Sequence, residues 1–263
     1  MSPDAPLATC DVSDGVALIT FRRAHARNAV NAQLSAAVGE ALEAADADPA
    51  VRAVVVTGDG PVFCAGADLK GIAAGEDLTA PGHPEWGFAG LVQHAVSLPV
   101  IAAVNGHAMG GGAEIVLACD LAVMAGDALF GLPEVTRGLY AAAGGTIRLP
   151  RQVPLKVALQ AGLTGDPMTA GDAARWGLIN AVVPRSDVVD EALTLARRIA
   201  ANAPLAVAVT KSMMHAAAGA GPEWGGALWR RQDQEMARLL RSRDAREGAQ
   251  AFVEKRPPAW TGR

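Results

Sequence analysis

The sequence predicts an α/β fold in which strand, small-residue loop and helix recur, followed by a region that is entirely helical. Three observations support this fold class. Short apolar runs rich in β-branched residues alternate with segments of helical periodicity, glycine-rich turns recur at intervals of roughly 45 to 50 residues, and no strand pattern follows Asp187. This spacing favours a wound array of ββα units over a flat nucleotide-binding sheet. We therefore expect a core over residues 1–186 and a helical region over residues 187–263.

The predicted strands are short and apolar. In the second of them, residues 54–56 are all valine, without the polar alternation of a half-exposed strand, and this is typical of a buried parallel strand. Strands are expected at residues 16–21, 51–57, 99–104, 121–125 and 181–183.

The predicted helices follow from apolar residues at helical spacing. In the first helix Leu34, Val38 and Leu42 recur every four residues, and the pair Asp48-Pro49 ends the helix. Residues 74–86, rich in glycine and proline, are expected to form a mobile lid or surface loop. Helices are expected at residues 33–47, 87–97, 111–118, 146–151, 155–161, 168–176, 189–200, 204–217, 223–241 and 244–255.

Three consecutive glycines, Gly110, Gly111 and Gly112, join an apolar strand to an apolar helix. They let a group approach the main chain closely, and the first N–H groups of the helix are unpaired donors, so the turn is a candidate anion or oxyanion site. Glu114 follows within the first helical turn and places a carboxylate near the same donors. The alternative is a tight turn that serves packing, with Glu114 as a solvated first-turn acid. A phosphate loop or a dinucleotide site is disfavoured, because no Lys-Ser or Lys-Thr pair follows and the glycine spacing differs.

Composition and charge exclude several classes of protein. The chain has 263 residues, 51% of them hydrophobic, which is enough to bury a sizeable core. A formal net charge of -4, with scattered basic residues, argues against nucleic-acid binding. No signal-peptide pattern opens the chain, and no later segment approaches the run of about 18 apolar residues typical of a membrane helix. We therefore expect a cytoplasmic protein that binds neither membrane nor nucleic acid.

The three cysteines, Cys10, Cys64 and Cys119, are odd in number and lack the spacing of metal ligands. Each lies among small apolar residues, as a buried free thiol would, so we expect no disulfide and no metal site. Cys64 as a nucleophile is the alternative, but no basic partner is evident nearby.

Two ordered motifs carry a resemblance to a known family. Residues 63–70 read FCAGADLK and residues 105–114 read NGHAMGGGAE, and the segments 130–134 (FGLPE) and 144–146 (GGT) follow them. Together they resemble the crotonase, or enoyl-CoA hydratase/isomerase, superfamily over nearly the whole chain. The resemblance implies a crotonase-like spiral of ββα units that carries the CoA-thioester site, with a C-terminal all-helical trimerisation region.

The resemblance also implies the catalytic groups. The backbone N–H groups of Ala67 and Gly111 would form an oxyanion hole for the thioester oxygen, which agrees with the unpaired donors expected at the glycine turn. Glu114 and Glu134 match the two family glutamates that add water across the 2,3 double bond. Hydration needs one base and one acid, so two carboxylates suffice without a metal. Glu134 alone could equally be an acid at a helix entry, since it follows a proline.

Substrate contacts implied by the resemblance lie in three places. Small residues beside the donors would let the thioester lie against the main chain, a loop near Arg27 would clasp coenzyme A, and the C-terminal segment would reach the coenzyme A of a neighbouring subunit. The residues are Ala26, Arg27, Ala65, Gly66, Asp68, Leu69, Gly110, Pro133, Phe252 and Lys255. Coenzyme A is part of the substrate, so no separate cofactor is expected.

Family members form trimers and hexamers that are paired trimers, so the resemblance implies a homotrimer or homohexamer. Two departures from the family pattern concern the substrate. His25 stands where a lysine is frequent in the loop that clasps coenzyme A, and Arg27 is expected to substitute for it. Residues 141–143, three alanines, replace a proline-containing stretch and are expected to reshape the acyl pocket near Glu134.

The sequence therefore predicts an enoyl-CoA hydratase acting on a 2-enoyl-CoA thioester. One alternative is a Δ3,Δ2-enoyl-CoA isomerase or another crotonase-type lyase, for which a single working acid is enough; the presence of both glutamates favours the hydratase. Another alternative is a non-catalytic acyl-CoA-binding protein of the same fold, against which the two carboxylates argue.

Overall fold

Residues 6–219 and 226–263 are described by the computed structural model, in which ten strands form two sheets. The strands are β1 (Ala8–Ser13), β2 (Val16–Phe21), β3 (Ala53–Gly58), β4 (Val62–Cys64), β5 (Val100–Val104), β6 (His107–Met109), β7 (Leu121–Ala125), β8 (Leu129–Gly131), β9 (Met168–Thr169) and β10 (Ala181–Val183). The helices are α1 (Ala32–Ala47), α2 (Leu69–Ala73), α3 (Gly111–Ala118), α4 (Gly145–Gln152), α5 (Leu155–Thr164), α6 (Ala170–Arg175), α7 (Val188–Ala200), α8 (Pro204–Gly219), α9 (Gly226–Leu239) and α10 (Arg243–Glu254).

The two sheets are mainly parallel. The larger sheet has the order β1-β2-β3-β5-β7-β10, and its one antiparallel pair is β1 with β2. The smaller sheet has the order β4-β6-β8-β9, with β8 and β9 antiparallel. Every residue of β3 and β5 is buried, which fits their uniformly small and apolar sequences.

The chain builds these sheets by repeating one unit three times. In each repeat a long strand enters the larger sheet, a three-residue strand enters the smaller sheet, and a helix follows: β3-β4-α2, β5-β6-α3 and β7-β8-α4. The predicted spiral of ββα units is therefore confirmed. The short strands of the smaller sheet and the six-residue edge strand β1 are the parts that the sequence did not indicate.

Successive turns of the spiral touch through their main chains. A Cβ atom at Gly112, in α3, would clash with the carbonyl oxygen of Cys64 in the preceding repeat. A Cβ atom at Gly106 would clash in the same way with the carbonyl oxygen of Pro61. Glycine is required at both positions because the backbones approach more closely than any side chain permits.

The helix predicted at residues 87–97 is wrong. The chain there forms only one 3-10 turn, Phe88–Gly90, with Ala89 in the left-handed region at φ 60°, and another such turn, Pro84–Trp86, precedes it. Apolar residues at helical spacing suggested a helix, but Gly90 packs against the carbonyl oxygen of Ser35 so closely that no side chain fits. The segment is shaped by its contact with α1.

The C-terminal region from α7 onward is helical, as predicted. Val188, Ala192 and Ala196 on α7 are fully buried and pack into the core, whereas α8 has no buried residue. The division of the chain after residue 186 stays a prediction, and α7 is part of the core layer. The predicted helix at residues 223–241 begins outside the described residues, and α9 is described from Gly226.

Ion pairs and hydrogen bonds fasten the C-terminal helices to the core. Asp120, at the start of β7, accepts from Lys211 Nζ at 2.8 Å and lies 2.7 Å from His215 Nε2, both on α8. Asp244 on α10 accepts from the N–H groups of Thr261 and Gly262 at 2.7 and 2.9 Å, which ties the last residues of the chain to α10 rather than to the core.

Among the described residues no single helix is long and apolar enough to cross a membrane. Arg185–Ala200 and Pro204–Gly219 reach that length only as a pair, and they are bent by 108°.

Candidate active site

Glu114 lies on the first turn of α3, directly after the glycine turn. Its backbone N–H donates to the carbonyl of Gly110, the N-cap residue, at 3.1 Å. The residue is only 3% exposed, and its Oε1 accepts from the N–H of Gly145 at 2.8 Å. Gly145 begins α4, so the carboxylate is held by an N–H group at the N-terminus of a second helix. A solvated first-turn acid is therefore excluded for Glu114.

Glu134 approaches the same glycine turn from another repeat. It begins a 3-10 turn, Glu134–Arg137, directly after Pro133. A Cβ atom at Gly110 would lie 3.2 Å from Glu134 Oε1, so this oxygen faces the main chain of the turn. The other oxygen, Oε2, is buried and has no hydrogen-bond partner among the described residues. A buried unpaired acceptor costs roughly 1–3 kcal/mol, and such groups concentrate where chemistry requires them.

The environment of the two carboxyls changes their acidity in the same direction. Burial raises the pKa of Glu114 to about 7; the Gly145 N–H opposes this effect and the charge of Glu134 adds to it. Burial likewise raises the pKa of Glu134. With a pKa of about 7, Glu114 retains a proton in part of the molecules near neutral pH. One pair of side chains can thus supply both a proton donor and a proton acceptor.

The two N–H groups predicted to form an oxyanion hole, those of Ala67 and Gly111, lie on segments that pass close to each other. Val30 forms a parallel β-bridge with Ala67: its N–H donates to Gly66 O at 2.8 Å, and its carbonyl accepts from Asp68 N at 2.9 Å. In such a bridge the N–H of Ala67 itself points away from Val30. The same segment passes close to the start of α3, because a Cβ atom at Gly66 would lie 2.9 Å from the nitrogen of Gly111. Gly111 is the first residue of α3, where an N–H has no acceptor within the helix.

Phe88 lies against this donor. A Cβ atom at Gly111 would clash with the ring of Phe88, so the aromatic ring covers the α-carbon next to the N–H. Sequence reasoning missed Phe88 because residues 87–97 were expected to form a helix. The pair Gly87 and Gly90, both with positive φ, was the available signal for an irregular segment.

The loop that precedes α2 is held by an ion pair that the sequence did not indicate. Arg23 Nη2 lies 3.0 Å from Asp68 Oδ2, and the side chains are 12% and 21% exposed. The hydrogen bond from Arg23 holds the pKa of Asp68 below its usual range. Asp68 also caps α2 by accepting from Lys70 N at 3.2 Å. The carboxylate of Asp68 is therefore engaged in fixing the loop that carries Ala67, while its predicted contact with substrate stays a prediction.

The loop predicted to clasp coenzyme A lies beside the same strand end. Ala26 ends a 3-10 turn, Arg27 follows in the left-handed region with an exposed side chain, and the carbonyl of Arg27 accepts from Ala65 N at 3.0 Å. Leu69 is 49% exposed next to this loop. The structure thus brings Ala26, Arg27 and Ala65 together.

The predicted residues of the C-terminal segment lie at the surface. Phe252 on α10 is 85% exposed, and Lys255 is the residue that caps this helix. Their predicted contact with the coenzyme A of a neighbouring subunit stays a prediction.

Cys64 is not a reactive thiol. It is fully buried, its Sγ lies 3.1 Å from the carbonyl oxygen of Asn28, and burial raises its pKa to about 12. A thiolate does not form under such conditions near neutral pH. Cys10, expected to be buried, is exposed on the edge strand β1.

Within the described ranges, no group of three His, Cys, Asp or Glu side chains is arranged to hold a metal ion.

Comparison with known proteins places this site in a family. Residues 11–263 match the family described as enoyl-CoA hydratase/isomerase. A carnitinyl-CoA dehydratase of Salmonella agona (strain SL483) is 43% identical over 253 residues, which cover 93% of this chain and 94% of that protein. Among solved structures, a carnitinyl-CoA hydratase from Mycobacterium avium is 54% identical with a TM-score of 0.78. An enoyl-CoA hydratase from Mycobacterium tuberculosis H37Rv is 39% identical with a TM-score of 0.93. Both structures are matched over 98% of this chain and 100% of theirs.

These matches extend over nearly the whole chain, and the site described above lies within the matched region. The chain belongs to the enoyl-CoA hydratase/isomerase family, also called the crotonase superfamily, and is a hydratase or dehydratase of the crotonase type, in a family that acts on acyl-CoA thioesters.

Proposed function

We propose that this enzyme adds water across the 2,3 double bond of a 2-enoyl-CoA thioester. The observation that carries the proposal is the coupled pair Glu114 and Glu134, two shielded carboxyls at one glycine turn, of which Glu134 keeps one buried oxygen unpaired. The family includes both hydratases and isomerases, and a proton pair is what hydration in particular requires.

In the proposed reaction one carboxylate accepts a proton from water while the water oxygen bonds to C3 of the substrate. The π electrons move toward C2, and the thioester becomes an enolate with its negative charge on the carbonyl oxygen. The second carboxyl, in its protonated form, then gives its proton to C2 and restores the thioester. Dehydration of a 3-hydroxyacyl-CoA runs through the same steps in reverse.

The enolate oxygen would be held by the backbone N–H groups of Ala67 and Gly111. Fixed donors at the position where charge develops stabilise a transition state by about 3 to 4 kcal/mol each in a dry site. The close approach of Gly66 to the nitrogen of Gly111 supports this assignment, because it brings the segment that carries Ala67 next to the start of α3. The small residues Ala65, Gly66 and Gly110 would lie along the thioester, with Pro133 beside Glu134.

The second candidate substrate is carnitinyl-CoA. Relatives named for carnitinyl-CoA are 43% and 54% identical to this chain, closer than the 39% of the Mycobacterium tuberculosis enoyl-CoA hydratase. Dehydration of carnitinyl-CoA is the reverse of 2-enoyl hydration, so it would use the same glutamate pair. Rates measured side by side on crotonyl-CoA and carnitinyl-CoA distinguish the two substrates.

We also propose that the enzyme works as a homotrimer or as a pair of trimers. Large apolar side chains remain exposed along the C-terminal helices, and a subunit interface would cover them. They are Met214, Met236, Leu240, Phe252 and Val253.

The glutamate pair is tested by Glu114→Gln and Glu134→Gln, which keep shape and remove charge. Each should lower kcat for crotonyl-CoA hydration by about 10² or more, and the double variant should lose less than the sum, because the two groups act as one unit. Hydration in ¹⁸O-labelled water should place the label in the 3-hydroxyl.

Glu191→Gln serves as the control, since Glu191 is exposed on α7, and it should leave the rate unchanged. If one Gln variant keeps full hydration activity, the paired mechanism fails. Full activity of that variant in converting 3-enoyl to 2-enoyl thioesters, with no hydration by the unmodified enzyme, would identify an isomerase. Binding of crotonyl-CoA with neither reaction would identify a non-catalytic acyl-CoA-binding protein.

A further inference from the structure

Arg148 is a half-buried cation beside the catalytic pair with no carboxylate partner. It lies one helical turn into α4, and no ion pair is formed by its guanidinium among the residues that the structure describes. A charge held partly out of water without a carboxylate in direct contact is costly, so its retention needs a reason.

The guanidinium contacts two segments that meet at the site. Its Nη2 donates to the carbonyl oxygen of Val92, in the irregular segment that also carries Phe88 over Gly111. Its Nη1 rests on Gly144, where a Cβ atom would clash with it. Gly144 directly precedes Gly145, whose N–H holds Glu114 Oε1 at 2.8 Å. One side chain therefore connects the segment that covers the oxyanion donor with the backbone group that orients a catalytic carboxylate.

We propose that Arg148 is a positioning residue that fixes the N-terminus of α4 against Glu114 and supplies that carboxylate with a compensating positive charge. This inference rests on the proposed role of Glu114 in hydration. Arg148 does not touch the reacting atoms; it acts through Gly145 and through the field at Glu114.

The charges around Glu114 are consistent with this role. The carboxyl of Glu134 disfavours ionisation of Glu114, whereas the N–H of Gly145 and the charge of Arg148 favour it. Burial lowers the pKa of Arg148 and the charge of Arg151 adds to this effect, whereas Cys119 and the charge of Glu114 oppose it. The positive charge of Arg148 and the negative charge of Glu114 thus favour each other.

Arg148→Met tests both parts of the proposal. The variant should lower kcat for crotonyl-CoA hydration by roughly tenfold to a hundredfold, the scale of a small misplacement in a catalytic site, with KM changed much less. In protein labelled with ¹³C at glutamate carboxyls, the titration midpoint of Glu114 should rise, because a favourable charge has been removed. The resonance is assigned as the one missing in Glu114→Gln.

Arg148→Lys separates charge from geometry, and Arg151→Met is the matched control. Lysine keeps the charge but lacks the fork that reaches both Gly144 and Val92, so it should return the Glu114 midpoint towards the original value while kcat stays low. Arg151, exposed on the same helix, should be replaceable without effect on either quantity.

A folded Arg148→Met protein with unchanged kcat and unchanged midpoint would overturn the proposal. A loss of kcat with an unchanged midpoint would also overturn it, because the residue would then be only structural. The titration needs no substrate, so it remains decisive for Arg148 even if the unmodified enzyme fails to hydrate any 2-enoyl-CoA and the proposed function is wrong.

Discussion

The buried position of Glu114 predicts that the enzyme becomes less stable as pH rises through the slightly acidic range. The folded-state pKa is about 7, and the ordinary value is 4.5. Between these values the folded protein binds a proton at Glu114 that the unfolded chain has released. The free energy of unfolding therefore falls with increasing pH until the group is ionised in both states.

The magnitude follows from linkage. Each unit of pKa difference corresponds to about 1.4 kcal/mol, so the full contribution is roughly 3 kcal/mol above pH 7. Of this, about 2 kcal/mol should develop between pH 5.5 and 8.5. Glu114→Gln removes the titration while its amide oxygen still accepts from Gly145. The variant should therefore gain stability relative to the unmodified protein as pH rises, although its activity is lost.

The measurement is chemical denaturation of both proteins at pH 5.5, 6.5, 7.5 and 8.5, at one fixed protein concentration. Comparing the two proteins at each pH cancels the contributions of the titrating groups that do not interact with Glu114. The expected result is a stability difference that moves by about 2 kcal/mol in favour of the variant across this range. A constant difference would mean that Glu114 has an ordinary pKa, and the reasoning from its burial would be refuted.

Three further predictions concern other parts of the molecule. Gly111→Pro removes one proposed oxyanion donor, and it is made in a Phe88→Ala background, which provides room for the proline ring. The double variant should hydrate substrate roughly 10² to 10³ times more slowly than Phe88→Ala alone, and normal turnover by a folded protein would disprove the assignment. Deletion of the residues after Pro204 should abolish a trimer or hexamer measured by light scattering, and a monomer in the intact protein would contradict the proposed interface. Asp120→Asn should lower the free energy of unfolding by about 1 to 3 kcal/mol in urea titrations, because it leaves Lys211 and His215 without their partner; unchanged stability would show that this cluster does not fasten α8.

Much of the site could be predicted because the residues that form it are close together in the sequence. Three glycines followed by Glu114 define a helix N-terminus with an acid one turn away, and this needs no knowledge of distant contacts. The long apolar strands were also visible, because β3 and β5 are uniformly buried. Chain order and spacing were then enough to indicate the repeating unit.

What the sequence could not show depends on contacts between distant residues. The donor to Glu114 is Gly145, 31 residues away, and the partner of Asp68 is Arg23, 45 residues away. The strands β4, β6 and β8 have three residues each, too few for a periodic pattern. Residues 87–97 had an apolar pattern typical of a helix, and tertiary contacts at Gly90 prevailed over it.

The contacts at Gly106 and Gly112 have a consequence for how such an enzyme can diverge. Because neighbouring turns of the spiral meet backbone to backbone, the position of the α3 N-terminus is set by main-chain atoms that every substitution elsewhere leaves unaltered. Mutations in the expected acyl pocket, such as those at residues 141–143, can therefore accumulate without displacing the proposed donors at Ala67 and Gly111. Substitutions of side chains can therefore make new substrates accessible, whereas a change at either glycine would disable the old and the new activities alike.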